Sequence, residues 1–152
     1  MIQKNEASTH LQIRPCTEAD IPTLATIAAE SFSDPWSERM FMETWSAPYN
    51  TIWCSIEDSK IIGYLVLSKG PDAYTIEDIA VLPAFRRRGI GYALLQFVLQ
   101  EAPEKTYWLE VRTSNQAAQN LYRRSGFIEV GRRKAYYDQP IEDAVLMTRS
   151  PT

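Results

Sequence analysis

Arg86, Arg87 and Arg88 stand directly before Gly89-Ile90-Gly91, and the second glycine opens an apolar run through Leu94 and Leu95. The unpaired amides at a helix N-terminus already carry partial positive charge, so an exposed arginine there costs roughly 0.3–1 kcal/mol unless an anion offsets it. Arg86-x-x-Gly89-x-Gly91, set between a strand end and a helix start, therefore reads as an anion site. Glycines let a ligand approach the backbone closely, the first free N–H groups of the helix point outward toward phosphate oxygens, and the arginines supply charge. The stretch contains neither GxxxxGK(S/T) nor GxGxxG, which sets aside two better-known phosphate loops. A tight turn bearing a solvated charge run is the alternative that the bare motif leaves open.

A second chemical group follows in KTYWLEVR, where strand alternation puts Tyr107, Leu109 and Val111 on one face and Trp108, Glu110 and Arg112 on the other. Glu110 is thus a carboxylate near the end of an otherwise apolar strand. A buried unpaired carboxylate is expensive, so it either pairs with an arginine such as Arg112 or serves in chemistry, and spacing alone favours the pair. On the helix that follows, Asn115, Ala118, Tyr122 and Ser125 share a face, with Asn115 and Tyr122 roughly 10 Å apart. An extended ligand along this face would meet the amide first and the phenol last. The competing reading of Tyr122 is a core tyrosine whose hydroxyl is bonded to backbone.

Composition narrows the partners. With 45% hydrophobic and 23% charged residues, the chain reads as a globular domain, and no apolar stretch approaches the roughly 20 residues that cross a bilayer. A formal net charge of −3 argues against a nucleic-acid coat and leaves the arginines as a local feature. His10 is the one histidine, so a Ser/His/Asp triad, an HExxH zinc site or a Cys/His dyad has little to draw on, and no metal is expected. Cys16 and Cys54 form no CxxC and read as buried reduced thiols, with a catalytic Cys16 as the minor alternative. MIQKNEASTH lacks the apolar segment of a signal peptide, which points to an intracellular, cytoplasmic location with no membrane partner.

The elements that must position these residues follow from periodicity. At 152 residues without repeat or linker, residues 1–152 read as one domain with its core at about 11–149. LQIRP is a first strand. TEADIPTLATIAAESF carries Ile21, Leu24, Ile27 and Ala28 at helical spacing, with Thr17 or Asp20 as cap and Pro22 in the first turn. Ser37 caps a second helix that stops before Pro48, Trp36 and Phe41 holding its staple positions. TIWCSIE and IIGYLVLS form a hairpin around Asp58-Ser59-Lys60, and AYTIEDIAV is a strand stopped at Pro83. A helix runs from about Gly89 to Glu101, its stripe made by Ile90, Leu94, Phe97 and Val98 and widened by Leu95 and Leu99. KTYWLEVR is a strand, SNQAAQNLYRRSG a helix capped by Ser114 and stopped by Gly126, and FIEVGRR and DAVLMTR are final strands. The order predicts an α+β fold: a mixed, mostly antiparallel sheet flanked by about four helices.

IAVLPAFRRRGIGYALL followed by LEVRTSNQAAQNLYRRSGF resembles the GNAT N-acetyltransferase superfamily over nearly the whole chain. The resemblance implies acetyl-coenzyme A as cosubstrate. It assigns Arg87, Arg88, Gly89, Ile90, Gly91 and Tyr92 to the pyrophosphate, largely through main-chain amides, and Ile79, Ala80 and Val81 to the pantetheine arm and thioester. WLEVRTSNQAAQNLYRRSGF and RRKAYYDQPIEDAVLM look like the bacterial RimI-type enzymes, which acetylate the N-terminal alanine of small-subunit ribosomal protein eighteen. That likeness makes Glu110 the general base, Tyr122 the general acid and Asn115 a coenzyme contact, and DPWSE fits the substrate-side segment. The chain departs from the pattern between Tyr137 and Glu142, where it has only Asp138-Gln139-Pro140-Ile141, shorter than the usual loop at the peptide entrance.

The implied chemistry is direct acetyl transfer in a ternary complex. Transfer to a lysine, polyamine or other small amine is the runner-up. A coenzyme-binding module without turnover is a third reading, which the Glu110 and Tyr122 pair disfavours. A nucleic-acid module built on Arg86 to Arg88 and Arg132 to Lys134 is a fourth, which the acidic total disfavours. Glu77, Asp78, Glu142 and Asp143 are expected to rim the cleft with negative charge that attracts a basic peptide. Tyr136 and Tyr137 are either a wall for its first side chains or packing under the sheet.

Overall fold

The computed structural model of the chain describes residues 11–152. Its strands are β1 Leu11–Pro15, β2 Asn50–Glu57, β3 Lys60–Lys69, β4 Ala73–Val81, β5 Thr106–Arg112, β6 Ile128–Tyr137 and β7 Glu142–Arg149. The α-helices are α1 Ile21–Ser31, α2 Glu38–Ser46, α3 Ile90–Glu101 and α4 Gln116–Arg124. The strands form one sheet in the order β1-β2-β3-β4-β5-β7-β6. Every neighbouring pair is antiparallel except β4 and β5, which are parallel because α3 carries the chain back between them. The expected element order and mixed sheet are both realised. Among the described residues no helix is long and apolar enough to cross a membrane. His10 and the N-terminal segment behind the cytoplasmic expectation lie outside the described residues.

Local signals place the elements. Asp58 and Ser59 both take positive φ, the pair a two-residue hairpin needs to match strand twist. Ser37 Oγ accepts from the Met40 N–H, and the Trp36 and Phe41 rings lie 5.2 Å apart, fixing the entry into α2. Gly126, at φ +94°, ends the turn after α4 in a conformation that an L side chain strains. The cap of α4 differs from expectation: Asn115, not Ser114, holds the position, its side-chain oxygen accepting from the Ala118 N–H.

The two faces of the sheet carry separate cores. Leu65, Leu67, Ile76, Leu109 and Val111 pack against Leu94, Leu95, Val98 and Leu99 of α3 and Tyr122 of α4. Ile52, Cys54, Tyr64, Val66 and Ala80 pack against Ile21, Leu24 and Ile27 of α1 and Phe41 of α2. The alternation in β5 is as read, Tyr107, Leu109 and Val111 being buried.

The feature that matters for the site is a divergence between β4 and β5. Their pairing runs from Ala73 opposite Thr106 to Ile76 opposite Leu109 and stops there. At that point β4 bulges: Leu67 of β3 faces Ile76 while Val66 faces Asp78, leaving Glu77 as the extra residue. A bulge bends and over-twists its strand. Beyond it β4 stays paired with β3 to Val81, and β5 stays paired with β7 to Arg112, so each strand is held from its outer side. A wedge opens between them.

Ahead of α1, Asp20 closes a capping box with Thr17, taking its N–H and hydroxyl at 2.8 and 3.0 Å, and accepts from Arg14 at 2.7 and 3.2 Å. The Arg14 hydrogen bond is the largest influence holding the Asp20 pKa down at about 2. Asp20→Ala is expected to cost about 0.5–2 kcal/mol in urea unfolding at neutral pH. Because the folded pKa is depressed, this stability is present above the ordinary value of 3.8 and is lost as pH falls through about 2. The gap between wild type and variant narrows across that window.

Candidate active site

The wedge between β4 and β5 is the floor of a cleft of about 850 Å³ lined by segments from both faces of the sheet. Backbone parity decides what it offers. The Leu82 N–H bonds the Ile62 carbonyl, so in the antiparallel ladder Ala80 and Asp78 also bond toward β3. The N–H and C=O groups of Ile79 and Val81 consequently point into the wedge. Val81 C=O accepts from Arg86 Nε at 3.0 Å, which ties the arginine run to the strand end. β4 therefore presents a strand edge, with Ala80 between two outward-facing residues, to whatever extended group enters.

At one end of the cleft, Gly89 takes φ +76° and caps α3, and a Cβ built on it meets nothing within 4 Å. Gly89 is needed for its left-handed backbone, and the space beside it is open. Arg87, Gly89, Ile90, Gly91 and Tyr92 all line the cleft. Arg88 does not: its guanidinium donates to Glu57 at 2.7 Å and lies 5.3 Å from the Phe85 ring centroid. Any part Arg88 plays toward an anion is left to its main chain. Arg124, unremarked in the sequence, also lines the cleft with its guanidinium 4.5 Å from the Tyr92 ring centroid. Helical spacing from Ala117 and Leu121, seven and three residues earlier, was its only signal.

Glu110 and Tyr122 both line the cleft. Glu110 comes from the α1/α2 face of β5, opposite in pleat to Leu109 and Val111. Its carboxylate pairs with Arg133 of β6, not with Arg112. Arg112 bonds instead to Glu142 at 3.2 Å and to the Pro140 carbonyl at 2.9 Å, and lies 4.4 Å from the Tyr137 ring centroid. Spacing along β5 suggested the wrong arginine because the partner comes from β6, beyond β7: Arg133 sits two residues along from Gly131, which shares the row of Glu110, and reaches back to it. Tyr122 reaches the wedge from the other face, its ring 5.9 Å from Phe127. It is 5% exposed, and among the described residues its hydroxyl forms no hydrogen bond, unlike the core tyrosine Tyr107, whose hydroxyl donates to the Val98 and Ala102 carbonyls. Burial first, then the Asp78 charge, pushes the phenol pKa well above its usual range. Tyr122 thus keeps its proton at neutral pH.

The rim is less acidic than its composition suggested. Glu142 accepts from the Ser114 N–H at 2.6 Å, from Thr113 at 3.0 Å and from Arg112, bonds that hold its carboxyl down at about 2. Asp143 accepts from the Ala135 N–H at 2.8 Å. Both belong to the framework of the β6–β7 turn, and the carboxylates lining the cleft are Asp34, Glu77, Asp78 and Glu110. Tyr137 lines the cleft, while Tyr136 is 49% exposed with burial and the Glu110 charge raising its pKa. Asn115 lines the cleft at the mouth of α4. Cys16 and Cys54 are free buried thiols in the α1/α2 core and do not line it, which removes the catalytic Cys16 alternative.

Comparison with known proteins bears on this arrangement. The model of the acetyltransferase (GNAT) family matches residues 21–127. The chain is 37% identical over 139 residues to the N-alpha-acetyltransferase RimI of Mycobacterium tuberculosis, covering 88% of each chain. It is 35% identical over 133 residues to a ribosomal protein bS18-alanine N-acetyltransferase of Salmonella typhimurium, covering 84% of this chain and 89% of that one. The crystal structure of the ribosomal-protein-S18-alanine N-acetyltransferase from Escherichia coli superposes with a TM-score of 0.86 at 31% identity, covering 93% of this chain and 96% of that one. A matched family model over most of the chain, joined by relatives of similar length and the same fold, makes the protein an N-acetyltransferase of the GNAT family.

Proposed function

We propose that the protein transfers acetyl from acetyl-coenzyme A to the N-terminal α-amine of a protein, the N-terminal alanine of ribosomal protein bS18, in the cytoplasm. The observation that carries this reading is that Glu110 and Tyr122, carried on opposite faces of the sheet, both line the one cleft that also takes in the β4 edge and the Gly89 turn. Relatives named for bS18-alanine acetylation at 34–37% identity supply the acceptor.

The cleft suits the donor. Ile79 and Val81 offer strand-edge groups to the pantetheine arm and thioester beside Ala80, and the amides from Arg87 and Arg88 through Gly89, Ile90, Gly91 and Tyr92 face the pyrophosphate end. Asn115 Oδ1 is occupied by its cap bond, which leaves its amide nitrogen for a coenzyme contact. Acetyl-coenzyme A, when bound, brings an activated thioester. The protein's part is to orient it and to move protons.

An α-ammonium has a pKa of about 8 and must shed a proton before its nitrogen can attack. Glu110, held in place by Arg133, takes that proton and returns it to solvent. The second nitrogen proton leaves as the tetrahedral adduct collapses and replaces, by way of solvent in the cleft, the proton that the leaving thiolate takes from Tyr122. Tyr122 makes that delivery, its burial keeping the phenol protonated in the resting site. N–H groups of the β4 edge polarise the thioester carbonyl. No metal takes part in this scheme.

The direct test offers the enzyme an alanine-initiated peptide followed by basic residues, the same peptide with a blocked N-terminus and free lysines, and spermidine, reading coenzyme A release and locating the acetyl group by mass spectrometry. The expected product is the α-acetylated peptide. Acetylation mainly of lysine side chains, or equal use of spermidine, contradicts the acceptor assignment. Glu110→Gln is expected to lower turnover by about 100-fold or more with acetyl-coenzyme A affinity nearly intact. Tyr122→Phe is expected to slow transfer while preserving the fold. A collapse of coenzyme binding in the latter would make the phenol a binding group first.

A further inference from the structure

The acid-base scheme leaves one half-buried carboxyl unused. Asp78 follows the Glu77 bulge on β4 and lines the cleft on the same side of the wedge as Glu110. Its Oδ2 accepts from the Tyr64 hydroxyl at 2.7 Å. Tyr64 is fully buried, and its ring stands edge-on to Phe41, 5.2 Å away, so the hydroxyl that aims Asp78 is fixed by the α1/α2 core. Among the described residues Asp78 has no cationic partner, whereas Glu110 has Arg133. Its charge reaches the centre of the cleft, because it raises the pKa of both Tyr122 on α4 and Tyr137 on β6.

Resting on the acetyl-transfer reading above, we infer that Asp78 is the counter-charge for the acceptor's ammonium: it binds the incoming R–NH3+ in the wedge and orients the nitrogen toward the thioester, while Glu110 takes the proton. The division follows from charge. A carboxylate already clamped by an arginine attracts a second cation weakly, and an uncompensated carboxylate in a poorly solvated cleft attracts one strongly. The same contact favours turnover. Substrate is an ammonium and product a neutral amide, so the attraction that captures the one is absent for the other. The bulge is what makes this geometry available, since without the extra residue Glu77 the pleat parity would turn Asp78 to the other face.

Asp78 also ties acceptor capture to pH. Burial is the main influence raising its carboxyl to about 6, opposed by the hydrogen bond from Tyr64 and by the nearby Ile79 N–H, and reinforced by Glu77. The ionisable groups around it are Tyr64 on β3, Glu77 beside it, Glu110 on β5, Tyr122 on α4, Tyr137 on β6 and Asp34 in the segment after α1, and Arg86, Arg87, Arg112 and Arg124 line the same cleft. Arg86 is turned to the Val81 carbonyl, Arg112 to Glu142 and Arg124 to the Tyr92 ring, and none of the four arginines forms an ion pair with Asp78. Below about pH 6 the counter-charge is neutralised, and acceptor affinity falls.

The test measures the acceptor KM for an alanine-initiated peptide, the Kd of acetyl-coenzyme A, and the inhibition constant of the same peptide carrying an N-terminal α-hydroxyl in place of the amine. Asp78→Asn is expected to raise acceptor KM at least tenfold at pH 7.5 with donor Kd within about twofold. It is also expected to abolish the preference for amine over hydroxyl and to flatten the rise of KM below pH 6. Tyr64→Phe keeps the ring packing and removes one hydrogen bond to the carboxylate, so it is expected to move that rise to higher pH. This second variant tests the assignment even if Asp78→Asn folds poorly. Unchanged acceptor KM and amine preference in Asp78→Asn, or equal losses toward donor and acceptor, would overturn the inference while leaving acetyl transfer intact. Absence of transfer by the wild type to any amine would overturn both.

Discussion

The bulge at Glu77 is the constraint on which the site depends. One extra residue in β4 ends its pairing with β5 after Ile76 and Leu109, yet both strands stay anchored by their outer neighbours. The wedge is therefore a stable gap in an otherwise continuous sheet. It exposes a strand edge that would elsewhere be a liability for aggregation, here recessed between helices on both faces. It also lets groups from the two faces approach one another: Glu110 and Asp78 from the α1/α2 side, Tyr122 from the α3/α4 side.

Charge in the cleft is sorted by position. The arginine run, Gly89 and the start of α3 make the donor end positive, with Arg124 beside Tyr92. The acceptor side carries carboxylates whose fates differ. Glu142 is spent on Ser114, Thr113 and Arg112 and stabilises the β6–β7 turn next to Tyr137, which lines the cleft. Glu110 is clamped by Arg133 and Asp78 is aimed by Tyr64, two ways of fixing a carboxylate that leave one neutralised and the other charged. The Arg112 contacts to Glu142 and Pro140 show how the short Asp138–Ile141 turn is held: by the residue two places after Glu110 on the same strand.

Much of this was legible in the sequence. Helices and strands fell where period 3.6 and period 2 put them, and the arginine-glycine run announced itself by placing cations where a helix start disfavours them. Pairings between distant elements were not legible. Arg112 and Arg133 are equally plausible partners for Glu110 until it is known that β7 lies between β5 and β6. The cap of α4 went to Asn115 over Ser114, a shift of one residue between two side chains that cap about equally well. Asp78 was readable as a rim acid, but its burial and its tyrosine partner depend on a bulge that alternation cannot reveal.

The central claim is that the β4 edge in the wedge receives the donor. Residue-resolved amide hydrogen exchange with and without saturating acetyl-coenzyme A tests it most directly. Ile79 and Val81, whose amides face the wedge, are predicted to gain protection on binding, while Tyr74 and Ile76, in the segment already paired with β5, change little. Tight binding of acetyl-coenzyme A with unaltered exchange at Ile79 and Val81 would contradict the account.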